Sequence, residues 1–233
     1  MNKLIVLRHL DTQDGIETRF CSGERDIPIL PGQIIAFETI RQIRDLVGEN
    51  PYSLAHTGLL RTKQTALLLG LALGYSKEML VFPEFRERFG GELAGLQFSE
   101  IQKKFSKLNL KEPYELWLVE APKQGLENVD AFLVRIEIGL RKIVWENIII
   151  LIAHAGAIKG IRAILETETL KEMRRILVSK TPENAEIFVF SEEENKNGNL
   201  REGYQSLFAR SRFQRRCLDT GMANKCRVAG QRN

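Results

Sequence analysis

The stretch Leu4-Ile5-Val6-Leu7-Arg8-His9-Leu10-Asp11-Thr12 decides the fold. Four consecutive apolar residues suit a strand buried on both faces. They stop abruptly at an arginine and a histidine, side chains that are costly to bury in an apolar core without partners. The chain therefore leaves its first strand into a polar turn. In open α/β sheets the loops that follow the carboxyl ends of strands line the ligand crevice, so Arg8 and His9 stand where chemistry is usually done. Taken alone, such a pair is more often a solvated strand end.

A second stretch repeats the pattern. Ile148-Ile149-Ile150-Leu151-Ile152-Ala153 is the most apolar six-residue run in the chain, and it ends on His154, followed by Ala155 and Gly156. The protein has three histidines, and two of them occupy the same position, just beyond a buried strand. Matched strand ends point to one shared site. The third, His56, reads as a bystander or a residue at the rim of that site.

Outward from these two strands the chain alternates strand-like and helix-like segments. Residues 10 to 33 carry Gly15, Gly23, Pro28, Pro31 and Gly32, a loop too long for a mere connection and so a candidate part of the site. Phe37, Ile40, Ile43 and Val47 recur at helical spacing over about 34–47, and Tyr52 to Ala55 reads as a short strand. A helix opens near His56 and ends at Gly74, and Met79 to Phe82 reads as a strand. Residues 97 to 125 form a helical excursion containing Trp117 and Pro122, followed by a helix over about Asn128 to Trp145. Beyond His154 the pattern predicts helices over 157–166 and 168–178 and a last strand from Glu186 to Phe190. This alternation predicts a three-layer α/β/α sandwich with a largely parallel sheet. The domain is expected over 1–191. Residues 192–233 lose both periods and read as a solvated, poorly ordered tail.

Composition narrows the classes. A chain of 233 residues with 43% apolar residues can bury about 70% of the surface its unfolded form exposes. No run approaches a membrane span and no signal-type segment opens the chain, so a cytoplasmic protein is expected. Cys21, Cys217 and Cys226 form no CxxC pair, so neither a disulfide framework nor a zinc site is indicated. From Asn195 to the end there are nine Lys and Arg against two Asp and Glu. A nucleic-acid or anionic-surface contact through Arg210, Arg212, Arg215 and Arg216 competes there with simple solvation, and solvation is the expectation.

The motifs of phosphate-binding glycine loops, zincins and serine hydrolases are all missing, and Cys21 has no arginine six positions later, as a cysteine phosphatase loop requires. What remains at strand ends is Arg8, His9, Arg61, Glu87 and His154. Two arginines, two histidines and a carboxylate suit phosphoryl transfer. Guanidinium forks match the oxygens of a phosphoryl group, and an imidazole can attack phosphorus or donate a hydrogen bond.

In these residues the chain resembles the histidine phosphatase superfamily, which includes cofactor-dependent phosphoglycerate mutases and alpha-ribazole phosphatases. The R-H-G-x-T motif is matched by Arg8 to Thr12, and the D-x-P-L element by Asp26-Ile27-Pro28-Ile29. The second arginine segment is matched by Arg61 within Thr57 to Ala66, and the L-R-E element by Phe85-Arg86-Glu87 through Gly91, Gly95 and Leu96. Gly125 to Asn128 looks like G-x-E-[SN], and Ala153-His154-Ala155 like the closing S-H-G.

The resemblance implies a two-step phosphoryl transfer with neither metal nor cofactor. It makes His9 the nucleophile, Glu87 the acid and base, and His154 a catalytic partner. Arg8, Arg61, Thr12 and Gly15 would hold the phosphoryl group. Four departures stand out: Leu10 for glycine, which would crowd the loop, Gly15 for a phosphate-contacting asparagine, Ala153 and Ala155 around the second histidine, and Asp11 for glutamate. Together they point to low activity or an unusual substrate. Sixty-seven positions separate Glu87 from His154, shorter than in the mutases, which favours a hydrolase of a small phosphomonoester such as alpha-ribazole phosphate. Residues 97–127 would be the lid that selects it. A mutase and a weakly active phosphate-ligand sensor or scaffold are the alternatives. The expected partners are the small ester and, for assembly, a second copy in a homodimer, with no nucleic acid and no membrane.

Overall fold

In a computed structural model of the chain, which describes residues 3–119, 122–144, 147–167 and 169–191, the opening apolar run forms β1 (Lys3–Arg8). The most apolar run forms β4 (Ile148–Ala153), whose six residues are all buried. With β2 (Tyr52–His56), β3 (Leu80–Val81) and β5 (Ile187–Ser191) they build a five-stranded sheet in the order β3-β2-β4-β1-β5. Every pairing is parallel except β1 with β5.

The register fixes the site. Arg8 pairs with Ala153, and His56 on the other neighbour pairs with Ile152. Three chains therefore run out of the sheet side by side, delivering His9, His154 and Thr57 to one level. The His9 N–H continues the ladder by donating to the Ala153 carbonyl at 3.0 Å.

Because side chains alternate across a strand, each buried strand feeds two faces. Ile5, Leu7, Leu54, Ile148, Ile150 and Ile152 pack with Ile43 and Val47 of α2 (Phe37–Val47) and Ala66 and Leu69 of α3 (Leu60–Leu73). On the sheet's other side α6 (Ala155–Leu165) packs on β1 and against α5 (Val129–Lys142) and α7 (Leu170–Leu177). The mixed sheet between helical layers is the expected α/β sandwich.

Several boundaries differ from the sequence reading. The loop over 10–33 contains a four-residue helix, α1 (Gln13–Ile16). α2 begins at Phe37 instead of Ile34, and β3 keeps only two residues. α3 opens at Leu60, because Gly58 has φ +89, outside helical backbone space. The 97–125 excursion holds one α-helix, α4 (Phe98–Lys104), and then 3-10 turns over 106–108, 113–118 and 122–124, two of which begin at prolines. It has its own small core of Leu93, Ile101, Leu110, Val119 and Leu126. The expectations for Trp145 and for the tail over 192–233, with Cys217 and Cys226, lie outside the described residues. Among those described, no helix is long and apolar enough to cross a membrane.

Candidate active site

Two tautomers are set by backbone and neighbours. His9 is buried, 5% exposed, and its Nδ1 lies 2.6 Å from the Leu10 carbonyl. A carbonyl only accepts, so Nδ1 carries the proton and Nε2 is left with its lone pair. His154 is the reverse. Its Nδ1 accepts from Arg61 Nε at 3.3 Å, so its Nε2 holds the proton and donates to Thr57 Oγ1 at 2.9 Å. The Thr57 hydroxyl donates its own hydrogen bond to Thr62 Oγ1 at 3.0 Å, and Thr62 donates to the Leu59 carbonyl at 2.7 Å. The two rings meet edge to face with centroids 5.2 Å apart. Burial, then the Arg61 charge, holds both imidazoles well below their ordinary pKa, with Arg8 adding to the effect on each. Both rings are neutral at pH 7.

Arg61 is a buried cation and Arg8 a half-buried one, and their hydrogen bonds go to carbonyls and an imidazole. Arg61, fully buried in the first turn of α3, donates from Nη1 to the Arg25 carbonyl at 2.6 Å and from Nη2 to the Ser22 carbonyl at 3.2 Å. α3 is capped from outside by Asp26 of the D-x-P-L element, whose Oδ1 accepts the Leu60 N–H at 2.5 Å. Arg8 donates from Nη1 to the Pro182 carbonyl at 2.6 Å, and its Nε is buried with no partner. Burial lowers the Arg8 pKa, and the charges of Glu87, Asp11 and Arg61 reach it.

Glu87 approaches from the loop after β3. Its Oε1 accepts the Arg88 N–H at 2.9 Å and its Oε2 accepts the Gly156 N–H, also at 2.9 Å, in the first turn of α6. A Cβ on Gly156 would lie 2.0 Å from Glu87 Oε1 and 2.8 Å from Trp117 Cζ2, so the carboxylate sits where only glycine leaves room. Arg135 of α5 holds the loop in place by donating to the carbonyls of Glu84, Arg86 and Glu87 at 2.6, 3.0 and 3.2 Å. It also grips both oxygens of Glu127 at 2.9 and 2.8 Å.

The structure thus brings Arg8, His9, Arg61, Glu87 and His154 together at the sheet's carboxyl edge. Thr12 is buried beside them and its Oγ1 accepts the Gly15 N–H at 3.2 Å, so the Gly15 amide is already engaged. Leu10 does not crowd the loop as expected from sequence. Its side chain turns into the main core, and its N–H donates to Thr65 Oγ1 at 3.1 Å. Asp11 accepts from the Asn184 side chain and lies away from the histidines' bonds. His56 is engaged by the Gly58 N–H at 3.0 Å.

Sequence reading gave no role to Thr57, Gly156 or Arg135. Thr57 carried a usable signal, since it follows a buried strand as His9 and His154 do. The other two act through main-chain groups, which residue type does not reveal. Among the described residues no cluster of His, Cys, Asp and Glu has the makings of a metal site.

The sequence matches the family model described as histidine phosphatase superfamily (branch 1) over residues 4–201. No curated protein matches it. Among solved structures, a mycobacterial glucosyl-3-phosphoglycerate phosphatase complexed with VO3 superposes with TM-score 0.59 at 21% identity, covering 82% of this chain and 93% of that one. A phosphoglycerate mutase from Bacillus anthracis gives 0.63 at 17% identity, covering 82% and 88%. A candidate alpha-ribazole-5'-P phosphatase from Escherichia coli gives 0.59 at 18%, covering 81% and 90%. At these identities the structural likeness shows the fold.

Proposed function

Because the chain belongs to the histidine phosphatase superfamily (branch 1), we propose that it is a phosphomonoesterase that works through a phosphohistidine on His9, with no metal in either step. The observation that carries this reading is the His9 ring: neutral, fixed by the Leu10 carbonyl, and presenting an unprotonated Nε2 near the charges of buried Arg61 and half-buried Arg8.

In the first step Nε2 attacks phosphorus, the bond to the leaving oxygen breaks, and Glu87 delivers a proton to that oxygen. In the second step water attacks the phosphohistidine, Glu87 takes the water's proton, and the N–P bond breaks to release phosphate. Arg8 and Arg61 stabilise the equatorial oxygens, Arg8 through the Nε that has no protein partner. His154 adds an Nε2–H by exchanging Thr57 for a phosphoryl oxygen, and the Thr12 hydroxyl is a further donor. The Gly15 amide joins them only by releasing Thr12.

Hydrolysis is favoured over phosphoryl transfer between substrate hydroxyls by the short interval between Glu87 and His154. The substrate class is a small phosphomonoester, with alpha-ribazole phosphate as one member. The test is phosphate release from p-nitrophenyl phosphate, phosphoglycerates and alpha-ribazole phosphate in excess EDTA, comparing the native protein with His9→Ala. Release that survives EDTA and vanishes in His9→Ala is expected. Isomerised phosphoglycerate without phosphate release would move the assignment to a mutase, and tight ester binding without turnover would move it to a sensor.

A further inference from the structure

Arg88 directly follows the proposed acid and is 2% exposed. Its side chain runs away from the histidines into the excursion over 97–127. Nε donates to the Glu127 carbonyl at 2.7 Å, and Nη1 and Nη2 donate to the carbonyls of Leu116 and Val119, each at 3.2 Å. Leu116 lies in the 3-10 turn over 113–118 and Val119 directly follows that turn, so one guanidinium gathers the far part of the excursion. The rigid fork of donors suits carbonyls that meet it from separate chain positions, which the compact ammonium of a lysine serves less well. The same guanidinium lies over the Trp117 ring, 5.0 Å from its centroid.

The main chain of Arg88 faces the site instead. Its N–H donates to Glu87 Oε1 at 2.9 Å, and its carbonyl accepts the Gly23 N–H at 3.1 Å. Gly23 follows Ser22, whose carbonyl holds Arg61 together with that of Arg25. A Cβ on Gly23 would lie 2.3 Å from the Glu87 carbonyl oxygen, so the two loops meet backbone to backbone. The contacts close a circuit: Glu87 Oε2 accepts the Gly156 N–H, Trp117 packs against Gly156, and Arg88 stacks on Trp117. The peptide that fixes one carboxylate oxygen therefore belongs to the residue that grips the excursion.

We propose that Arg88 is a positioning residue for proton transfer: by tying the turn over 113–118 to the peptide between Glu87 and Arg88, it aims the carboxylate at the leaving oxygen. This rests on the phosphatase reading for the role of Glu87. Arg88 touches no reacting atom and acts through Glu87, whose carboxyl must stand within hydrogen-bond reach of the oxygen it protonates.

The test uses leaving groups that differ in their need of a proton. Nitrophenolate departs from p-nitrophenyl phosphate largely unprotonated, whereas the alkoxide of glycerol 3-phosphate must be protonated as its bond to phosphorus breaks. For each ester kcat/KM covers phosphoryl transfer to His9 and not the later hydrolysis of the phosphohistidine. The ratio of the two values within one preparation therefore isolates proton delivery, and a loss of folded fraction cancels in it. Arg88→Met should lower kcat/KM for the alkyl ester about 100-fold more than for the nitrophenyl ester, the scale of a misplaced reacting group. Arg88→Lys should recover part of that difference, and Glu87→Gln should show at least as large a one. A ratio that shifts in Glu87→Gln and stays native in Arg88→Met overturns the positioning role and leaves the phosphatase reading intact. Exchange of the Gly156 amide, followed by NMR without substrate, is the second readout. In the first turn of α6 this N–H has no intrahelical acceptor, so its protection reports the Glu87 carboxylate. Arg88→Met should speed that exchange about tenfold by local opening, while the His9 amide, held by the sheet, keeps its protection. Unchanged exchange at Gly156 overturns the tie between Arg88 and Glu87. Faster exchange in a protein whose native form turns over neither ester defeats the phosphatase reading and leaves the tie standing.

Discussion

At the scale of single residues, the site depends on groups held in uncomfortable states, and these have measurable consequences. His9 and His154 are buried and neutral, with folded-state pKa values well below the 6.5 of a free imidazole. As pH falls below 6.5 the unfolded chain takes up protons that the folded chain refuses, so stability falls with pH until the lowered folded values are reached. Each such histidine contributes a slope of about 1.4 kcal/mol per pH unit. Urea unfolding between pH 6.5 and 5 should therefore show a shallower pH dependence in His154→Gln than in the native protein. Identical slopes would mean that His154 takes up its proton in the folded state. The same displacement of His9 sets the kinetic sign: the nucleophile stays unprotonated below pH 6.5, so its protonation does not limit the rate at pH 6.5. Gly156 gives a steric counterpart. A methyl there collides with the Glu87 carboxylate at 2.0 Å, whereas a methyl on Gly15 would meet only Thr12 Oγ1 at 3.4 Å. Gly156→Ala should lower kcat by about 100-fold, the scale expected when a reacting group moves by about 1 Å. Its melting temperature should change little, because alanine favours the helix. Gly15→Ala should leave kcat within a few-fold. Equal rates for the two variants would remove Glu87 from the chemistry.

At the scale of elements, the acid loop is held by a helix distant from it in sequence. Arg135 of α5 gathers three carbonyls of residues 84–87 and both oxygens of Glu127, and Glu127 Oε2 in turn accepts the Phe89 N–H at 3.0 Å. Both partners are largely buried, with side chains 17% and 10% exposed. Arg135→Met leaves the largely buried Glu127 carboxylate without its counter-charge and takes a donor from three carbonyls, a change that costs about 3–5 kcal/mol. Glu127→Gln/Arg135→Met should recover part of that loss, because the stranded charge is gone. A double variant no more stable than Arg135→Met would show that the carbonyl contacts, and not the ion pair, hold the loop. This clamp marks a limit of sequence reading. The strands and the residues that end them were legible because burial leaves a one-dimensional record: four or six apolar residues, then a sudden polar one. The G-x-E-[SN] match placed Glu127 in a motif, but nothing in the type or spacing of Arg135 announced that it would reach carbonyls some fifty residues earlier. The excursion over 97–125 is helical as its sequence suggests, but only α4 is an α-helix, for a related reason. Its apolar residues serve a small separate core, and prolines at 113 and 122 open short 3-10 segments of six and three residues.

At the scale of the whole molecule, the site exists because β1 and β4 are neighbours. Their residues are separated by more than 130 positions, yet the parallel register Arg8 with Ala153 places both histidines at one edge. Sequence could show that both strands end in histidine, but pairing and order are set by which faces bury against which helices, and so had to come from the fold. The strand β5 completes this arrangement from the outside. It pairs antiparallel with β1 along Lys3 to Leu7, and the loop before it supplies the Pro182 carbonyl to Arg8 and the Asn184 amide to Asp11. A sheet lacking β5 would leave β1, with its apolar run Leu4 to Leu7, as an open edge that invites association with other chains. Two shortened proteins test this division of labour. A chain ended after Glu192, the limit of the first compact unit, keeps all five strands and should melt within a few degrees of the full protein, with p-nitrophenyl phosphate turnover retained. A chain ended after Glu186 removes β5 and should aggregate or fail to fold. If the longer of the two also fails, the domain does not close at β5, and residues beyond 192 belong to its fold. If the shorter one folds and turns over substrate, β5 is dispensable and the Arg8 carbonyl partner is held by the preceding loop alone.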